Sequence, residues 1–131
     1  MKRRLVEDLM SRTVISLTEG DFVQIAKLDM DIAAIRHLPV VDAHQRVVGI
    51  VALSDLLQAF ARREGRRIPV AEVMTRDVVT VHRRTPAHEA ARTMIEHKIG
   101  ALPVVGEHDR LEGMLTETDF LRVAEEALQG H

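Results

Sequence analysis

Leu38-Pro39-Val40-Val41 returns 64 residues later as Leu102-Pro103-Val104-Val105. Outward from this tetrapeptide, Met10-Ser11-Arg12 returns as Met74-Thr75-Arg76, Gly49 as Gly113, and Ser54-Asp55 as Thr118-Asp119, all at the same offset. No insertion or deletion is needed between Val6 and Leu121. One short match arises by chance, but a set held in one register marks an internal duplication. The chain divides into a first repeat at residues 1–62, a linker at 63–69 and a second repeat at 70–131.

Each repeat has the same order of elements. Val14-Ile15-Ser16-Leu17 and Val78-Val79-Thr80-Val81 are strands by composition. A helix follows each. In the second repeat Thr85 is expected at the N-cap and Pro86 at the first helical position. Ala90, Ala91, Met94 and Ile95 then share a face, as do Phe22, Ile25, Ala26 and Met30 in the first repeat, after the weaker start Glu19-Gly20-Asp21. Two strands come next, Leu38–Val41 with Val47–Val51 and Leu102–Val105 with Leu111–Leu115. Five-residue polar joints, Asp42–Arg46 and Gly106–Arg110, mark them as hairpins. Closing helices are expected near Leu53–Arg63 and Glu117–Leu128.

The order is β-α-β-β-α, twice, an α/β (α+β) architecture. A single unit of this size has a marginal core. Its strands are apolar on both faces, so each sheet needs cover on both sides. Two repeats packed sheet to sheet with pseudo-two-fold symmetry would supply that cover and leave two related clefts.

Composition narrows the function. Of 131 residues 46% are hydrophobic and only 2% aromatic, namely Phe22, Phe60 and Phe120, so a flat ligand would be gripped by aliphatic side chains. The net charge is −2, without the basic excess of a dedicated nucleic-acid binder. There is no cysteine, which excludes disulfides and thiolate metal sites. No apolar run approaches the roughly 20 residues of a membrane span, and no signal-peptide apolar region follows Met1-Lys2-Arg3-Arg4. The expectation is a cytoplasmic protein.

The tandem Leu-Pro-Val-Val pattern, each copy followed by Gly-x-x-x-x-(Ser/Thr)-Asp, resembles the CBS-domain pair, or Bateman module, over nearly the whole chain. Such modules regulate enzymes and channels when fused to them; this chain looks like a stand-alone pair. The resemblance implies adenosine-containing ligands: AMP, ADP or ATP, with NAD and S-adenosylmethionine as further members of the class. It also implies a homodimer and a protein partner under regulation, with no required cofactor. Each site is expected to draw on both repeats.

On that basis the main site joins Ile15, Arg36 and His37 to Met114, Thr116, Thr118 and Asp119. A carboxylate at Asp119 can accept from both ribose hydroxyls. Thr116 and Thr118, at a helix start, suit a phosphate, and Arg36 adds a fixed positive charge with His37 beside it. Ile15 and Met114 would press on the adenine. Read locally, Thr116-x-x-Asp119 is equally a helix N-cap with an acid in the first turn. The second site is the counterpart: Ile50, Ser54, Asp55, Val79, Ile99 and Gly100. Ala52 stands where the main site has Thr116, and Gly100-Ala101 where it has Arg36-His37. The missing hydroxyl and charge predict one good site and one weak or empty one.

Other signals carry less. His37, His44, His82, His88, His97, His108 and His131 include no i, i+4 pair and have no cysteine companion, so no metal site is expected. Arg62, Arg63, Arg66 and Arg67 make a basic linker, read as a solvated face or as a contact for a ligand phosphate or an acidic partner, and Lys2-Arg3-Arg4 adds basic charge at the N-terminus. Met30 and Met94 read as core packing. Phe120 and Leu121, matching Leu56 and Leu57, lie on the closing helices where the family often dimerises. No nucleophile–base arrangement marks an enzyme. The rival readings are an interaction module with vestigial clefts, and a nucleic-acid or metal-linked role resting on the arginines and histidines.

Overall fold

The computed structural model describes residues 3–62 and 64–130. The elements run α1 (Val6–Leu9), β1 (Leu17–Thr18), α2 (Val23–Ala33), β2 (His37–Val41), β3 (Val47–Ala52) and α3 (Leu53–Arg62). A 3-10 turn at Val70–Glu72 leads into β4 (Val81–His82), α4 (Ala87–His97) and β5 (Ala101–Val105). A second, at Glu107–Asp109, leads into β6 (Leu111–Thr116) and α5 (Glu117–Leu128). The strands form two three-stranded sheets, β1-β2-β3 and β4-β5-β6, so the expected mixed α/β architecture is present, one sheet per repeat. No described helix is long and apolar enough to cross a membrane.

Two compact units result. One, the repeat-1 unit, is Ile15–Val78. The other, the repeat-2 unit, comprises the described residues of Met1–Val14 and Val79–His131. The compact units are thus offset from the sequence repeats by about a dozen residues at each start. The sequence also gave no warning of α1 or of the 3-10 turn at Val70–Glu72, whose first residues are 64 apart.

Backbone pairing explains the offset. Ser11 and Met114 exchange N–H and C=O hydrogen bonds at 2.9 and 3.0 Å inside the repeat-2 unit, and Thr75 and Ile50 do the same inside the repeat-1 unit. The Met-(Ser/Thr)-Arg segments thereby seal the outer edges of β6 and β3. Ion pairs add to each seal: in the repeat-1 unit Arg76 meets Glu19 at 3.6 Å, and in the repeat-2 unit Glu7 meets Arg83 at 3.6 Å and Arg84 at 3.4 Å, while Arg83 meets Glu112 at 3.4 Å. The repeat-1 positions equivalent to Glu7, Arg84 and Glu112 are Ala71, Gly20 and Val48.

Pro39 and Pro103 decide where the first strand of each sheet begins. Ile50 spends its backbone groups on Thr75, away from β2, so its β2 partner Pro39 is in a non-hydrogen-bonded pair and turns its backbone toward β1. Proline has no N–H to give there. The parallel ladder therefore begins one residue on, with Leu17 against Val40 and Thr18 against Val41. The same holds around Pro103, where Val81 meets Val104 and His82 meets Val105. The strands expected at Val14–Leu17 and Val78–Val81 are accordingly displaced toward the C-terminus.

The helices follow their apolar spacing with two corrections. Pro86 is the N-cap, extended at φ −56° and ψ 136°, and Ala87 is the first helical residue. The Ala87 N–H donates to the Arg4 carbonyl, and Leu5 bridges Pro86, so the N-terminal segment holds Pro86 out of the helix. The buried faces are Val23, Ala26 and Met30 in α2, and Ala87, Ala90 and Met94 in α4. Ile25 and Ile95, expected on those faces, are 49% and 76% exposed, because they fall one residue off the i, i+3, i+7 row that meets the sheet. Both helices stop in a left-handed turn, at Ala34 and Lys98, after which Ile35 and Ile99 donate back to the Met30 and Met94 carbonyls.

Both hairpins form as read. Asp42 organises the first: its Oδ1 accepts from the His44 and Arg46 N–H groups at 2.8 and 3.0 Å, and its Oδ2 from Arg46 Nε at 3.0 Å. The Arg46 N–H, then the His44 N–H and the Arg46 guanidinium, hold the Asp42 carboxyl below its ordinary value. The repeat-1 core packs Leu17, Val23, Met30, Leu38, Val51 and Leu56. The repeat-2 core packs Val6, Met10, Met94, Leu102, Val104 and Leu115.

Two outcomes follow from these contacts. A Cβ at Gly113 would lie 2.7 Å from the Ser11 backbone oxygen, whereas at Gly49 the nearest atoms all belong to the pliable Met74 side chain. Gly113→Ala is therefore expected to cost about 1–3 kcal/mol by overpacking, and Gly49→Ala clearly less, as read by denaturant unfolding. In an NMR pH titration, Asp42 should titrate below 3.8. Because its folded value is depressed, its contribution to stability is present above the unfolded value and is lost as pH falls through the folded one.

Candidate functional site

The candidate residues gather where a strand runs into a closing helix. In the repeat-1 unit β3 passes directly into α3, and the Leu53 N–H is taken by the Arg36 carbonyl at 2.8 Å. His37 pairs with Ala52 across the sheet. The Ala52 N–H is in turn held by Asp55 Oδ2 at 2.9 Å. Arg36, His37 and Asp55 thus meet at one end of the sheet, with Ser54 exposed beside Asp55. Ile50 lies half-buried in β3, and Ile15 lies exposed and outside the ladder.

The repeat-2 unit reproduces this arrangement with different side chains. The Glu117 N–H donates to the Gly100 carbonyl at 3.1 Å. Ala101 pairs with Thr116, whose N–H donates to Asp119 Oδ2 at 2.8 Å. The Thr116 hydroxyl lies 3.4 Å from the same oxygen. Gly100, Thr116 and Asp119 are thereby brought together, with Thr118 exposed on the first turn of α5 and Met114, Val79 and Ile99 half-buried.

Both aspartates are therefore helix-start acceptors, the plainer of the two readings their sequence allowed. That role occupies one carboxylate oxygen only. Among the described residues Oδ1 of Asp55 and of Asp119 takes no hydrogen bond. A carboxylate fixed by its own backbone, with an acceptor to spare, is pre-organised for a diol. The N-terminal turns of α3 and α5 add backbone N–H groups at the same ends.

Sequence reasoning passed over Glu117. Its Oε1 lies 3.0 Å from where a Gly100 Cβ would stand, so its carboxylate covers that glycine. The repeat-1 equivalent is Leu53. The repeat-2 end of the sheet thus carries Glu117 and Asp119, while the repeat-1 end carries Arg36, His37 and Asp55. The signal was the charge difference between Leu53 and Glu117 at one repeat position.

The remaining polar candidates are dispersed. His44, His88, His97 and His108 are exposed, and His97 Nδ1 sits 3.0 Å from the Thr93 carbonyl. Among the described residues no group of three metal-ligating side chains gathers. Arg62 and Arg66 are exposed, and Arg67 lies 5.6 Å from the Phe22 ring. Lys2, Arg63 and His131 lie outside the described residues.

Known proteins share this fold. The CBS domain model matches residues 6–62 and again 70–126. An L-aspartate semialdehyde sulfurtransferase from Methanocaldococcus jannaschii is 32% identical over 119 residues, covering 91% of this chain and 23% of that protein. The chain spans about a quarter of the length of this and several other curated relatives it matches. The CBS domain pair of protein MJ0100, solved with 5′-methylthioadenosine and S-adenosyl-L-methionine, superposes with a TM-score of 0.87 at 30% identity, covering 96% of this chain and 99% of that one. CBSX2, solved with AMP, gives a TM-score of 0.81 at 27% identity, covering 95% and 98%. With both repeats matched by one family model and the whole pattern matched by solved pairs, the chain belongs to the CBS-domain family as a tandem pair.

Proposed function

We propose that this chain is a regulatory module that binds an adenosine-containing ligand and associates with a second copy of itself. The observation that carries the reading is the pair of helix-start aspartates, each with one oxygen engaged and one available, in a chain similar to domain pairs solved with S-adenosyl-L-methionine and with AMP. Asp119 receives the ribose hydroxyls. Thr116, Thr118 and Arg36, with His37, receive phosphate, and Ile15 and Met114 flank the base. The site built on Ile50, Ser54, Asp55, Val79, Ile99 and Gly100 is the weaker, because Ala52 and Gly100 bring neither hydroxyl nor charge.

The mechanism is a population shift. A ligand held by residues of both repeats favours one state of the module, by no more than its difference in affinity for the two states. That state presents an altered surface to a regulated protein partner. No step of bond-making is involved.

Thermal unfolding with AMP, ADP, ATP, NAD, 5′-methylthioadenosine and S-adenosylmethionine tests the reading. A ligand at about 100 times its dissociation constant adds roughly 2.7 kcal/mol and raises the midpoint by several degrees. Asp119→Ala should abolish that shift, and Asp55→Ala should largely spare it. Each shift is measured against the variant's own ligand-free midpoint, since both substitutions also remove a helix-start contact. Absence of any shift at millimolar ligand would favour an interaction module with vestigial clefts.

Arg36 separates the ligand classes. Arg36→Ala should weaken AMP by about tenfold or more, the worth of one charge-assisted phosphate contact, and leave 5′-methylthioadenosine, which has no phosphate, within about twofold. Isothermal titration of both ligands measures the two effects.

A further inference from the structure

The last turn of α3 and the segment after it border a surface cavity of about 300 Å³, lined by Ala59, Arg62, Arg66, Ile68, Glu72 and Val73. All six residues belong to the repeat-1 unit. The floor is apolar, with Ala59 and Ile68 buried and Val73 half-buried. The rim is charged, with Arg62, Arg66 and Glu72 exposed. The frame is tied down: the Ile68 carbonyl accepts from the Val23 N–H at 2.9 Å, and the Val70 N–H donates to the Asp21 carbonyl at 2.7 Å. Asp55 stands in the first turn of α3 and Arg62 in its last, so the cavity lies at the other end of that helix from the candidate nucleotide residues.

The duplication shows that the fold does not require the three charges. The repeat-2 positions equivalent to Arg62 and Arg66 are Glu126 and Gly130. The equivalent of Glu72 is Asp8, whose Oδ2 accepts from the Leu5 N–H at 2.8 Å. Pro69 stands where Leu5 does and has no N–H to give, so Glu72 is relieved of the backbone work that Asp8 performs. Arg62 spends only Nε, on the Gln58 carbonyl at 3.3 Å. Among the described residues, Arg62, Arg66 and Glu72 enter no ion pair. Arg67, the next basic residue, is drawn off over the Phe22 ring at 5.6 Å and does not line the cavity.

The lining specifies a ligand. Each guanidinium is a planar fork that matches a carboxylate. Glu72 only accepts, so it calls for a cation. The apolar floor suits a short aliphatic frame. Two carboxylates and one ammonium on such a frame satisfy all three charges at once. A phosphate alone would leave Glu72 facing a second anion. A nucleic acid would meet the same repulsion and find no aromatic side chain in the lining to stack on. The volume is at the small end for ligand pockets, which suits a free amino acid better than a whole nucleotide.

We propose that this cavity is a second small-molecule site, independent of the nucleotide site, and that it binds a free α-amino dicarboxylate of the aspartate or glutamate class. Arg62 and Arg66 hold the two carboxylates, and Glu72 holds the ammonium.

Isothermal titration with L-aspartate and L-glutamate at fixed salt and neutral pH tests the site, with amide NMR shifts locating it. One of the two should bind and move the amides of Arg62, Arg66, Glu72 and Val73. Succinate and glutarate carry the same two carboxylates without the ammonium. The matching one should bind at least about tenfold more weakly to the wild type, the worth of one charge-assisted contact. In Glu72→Gln that gap should close. Arg62→Glu combined with Arg66→Gly installs the repeat-2 residues, which the fold already carries at the equivalent positions. That double variant should lose binding and keep a ligand-free unfolding midpoint close to wild type.

No binding of either amino acid at about 10 mM, weaker than any useful affinity, would overturn the proposal. Equal binding of the amino acid and its ammonium-free analogue by the wild type would also overturn it, as the mark of a basic surface that attracts any anion. Binding that survives the double substitution would do the same. So would AMP moving these amides, since the arginines would then belong to the nucleotide site.

Discussion

The paired backbone hydrogen bonds between Ser11 and Met114, and between Thr75 and Ile50, are the constraint on which the rest of each unit depends. They tie a segment from before each repeat's first strand to the outer edge of a sheet. Gly113 and Gly49 stand next to that contact, where a side chain would meet Met10 and Ser11 or Met74. Because the third strand spends backbone groups outward, the facing proline turns toward the first strand with no donor, and that strand is cut to two residues. The displacement of β1 and β4 and the burial of both methionines are consequences of one pairing.

The duplication separates structural from functional demand. Asp55 and Asp119 do the same backbone work, so their presence in both repeats is accounted for by the helix starts alone. Arg36 and His37 against Gly100 and Ala101, Thr116 against Ala52, and Glu117 against Leu53 are different, since one backbone accepts either member of each pair. These are the positions that the shared backbone leaves free to differ. A site on this fold is therefore sought in what the repeats do not share.

Much of the candidate site could be read from the chain. The run after Gly113 and the pair before Leu38 were legible because a duplicated motif shows where variation begins. For Asp119 the chain offered two rival readings, since a helix cap and a diol acceptor call for the same residue at the same spacing. The geometry makes them compatible, because the cap engages only one of the two oxygens. Glu117 was invisible as a cover for Gly100, since side-chain direction is absent from a one-dimensional pattern.

The sequence by itself determined the repeat, the hairpins with their polar turns, the closing helices and the buried methionines. Each of these is set by neighbours within a few residues, through apolar period, turn chemistry and helix-start acids. Only the tertiary structure decided that Met10-Ser11 joins the sheet of repeat 2 and Met74-Thr75 that of repeat 1. It also decided that Pro86 caps its helix instead of opening it, and that Ile25 and Ile95 face outward. Those outcomes are fixed by hydrogen bonds between segments far apart along the chain, such as Ala87 to Arg4 and Ser11 to Met114. Local propensity carries no information about a partner more than a hundred residues away.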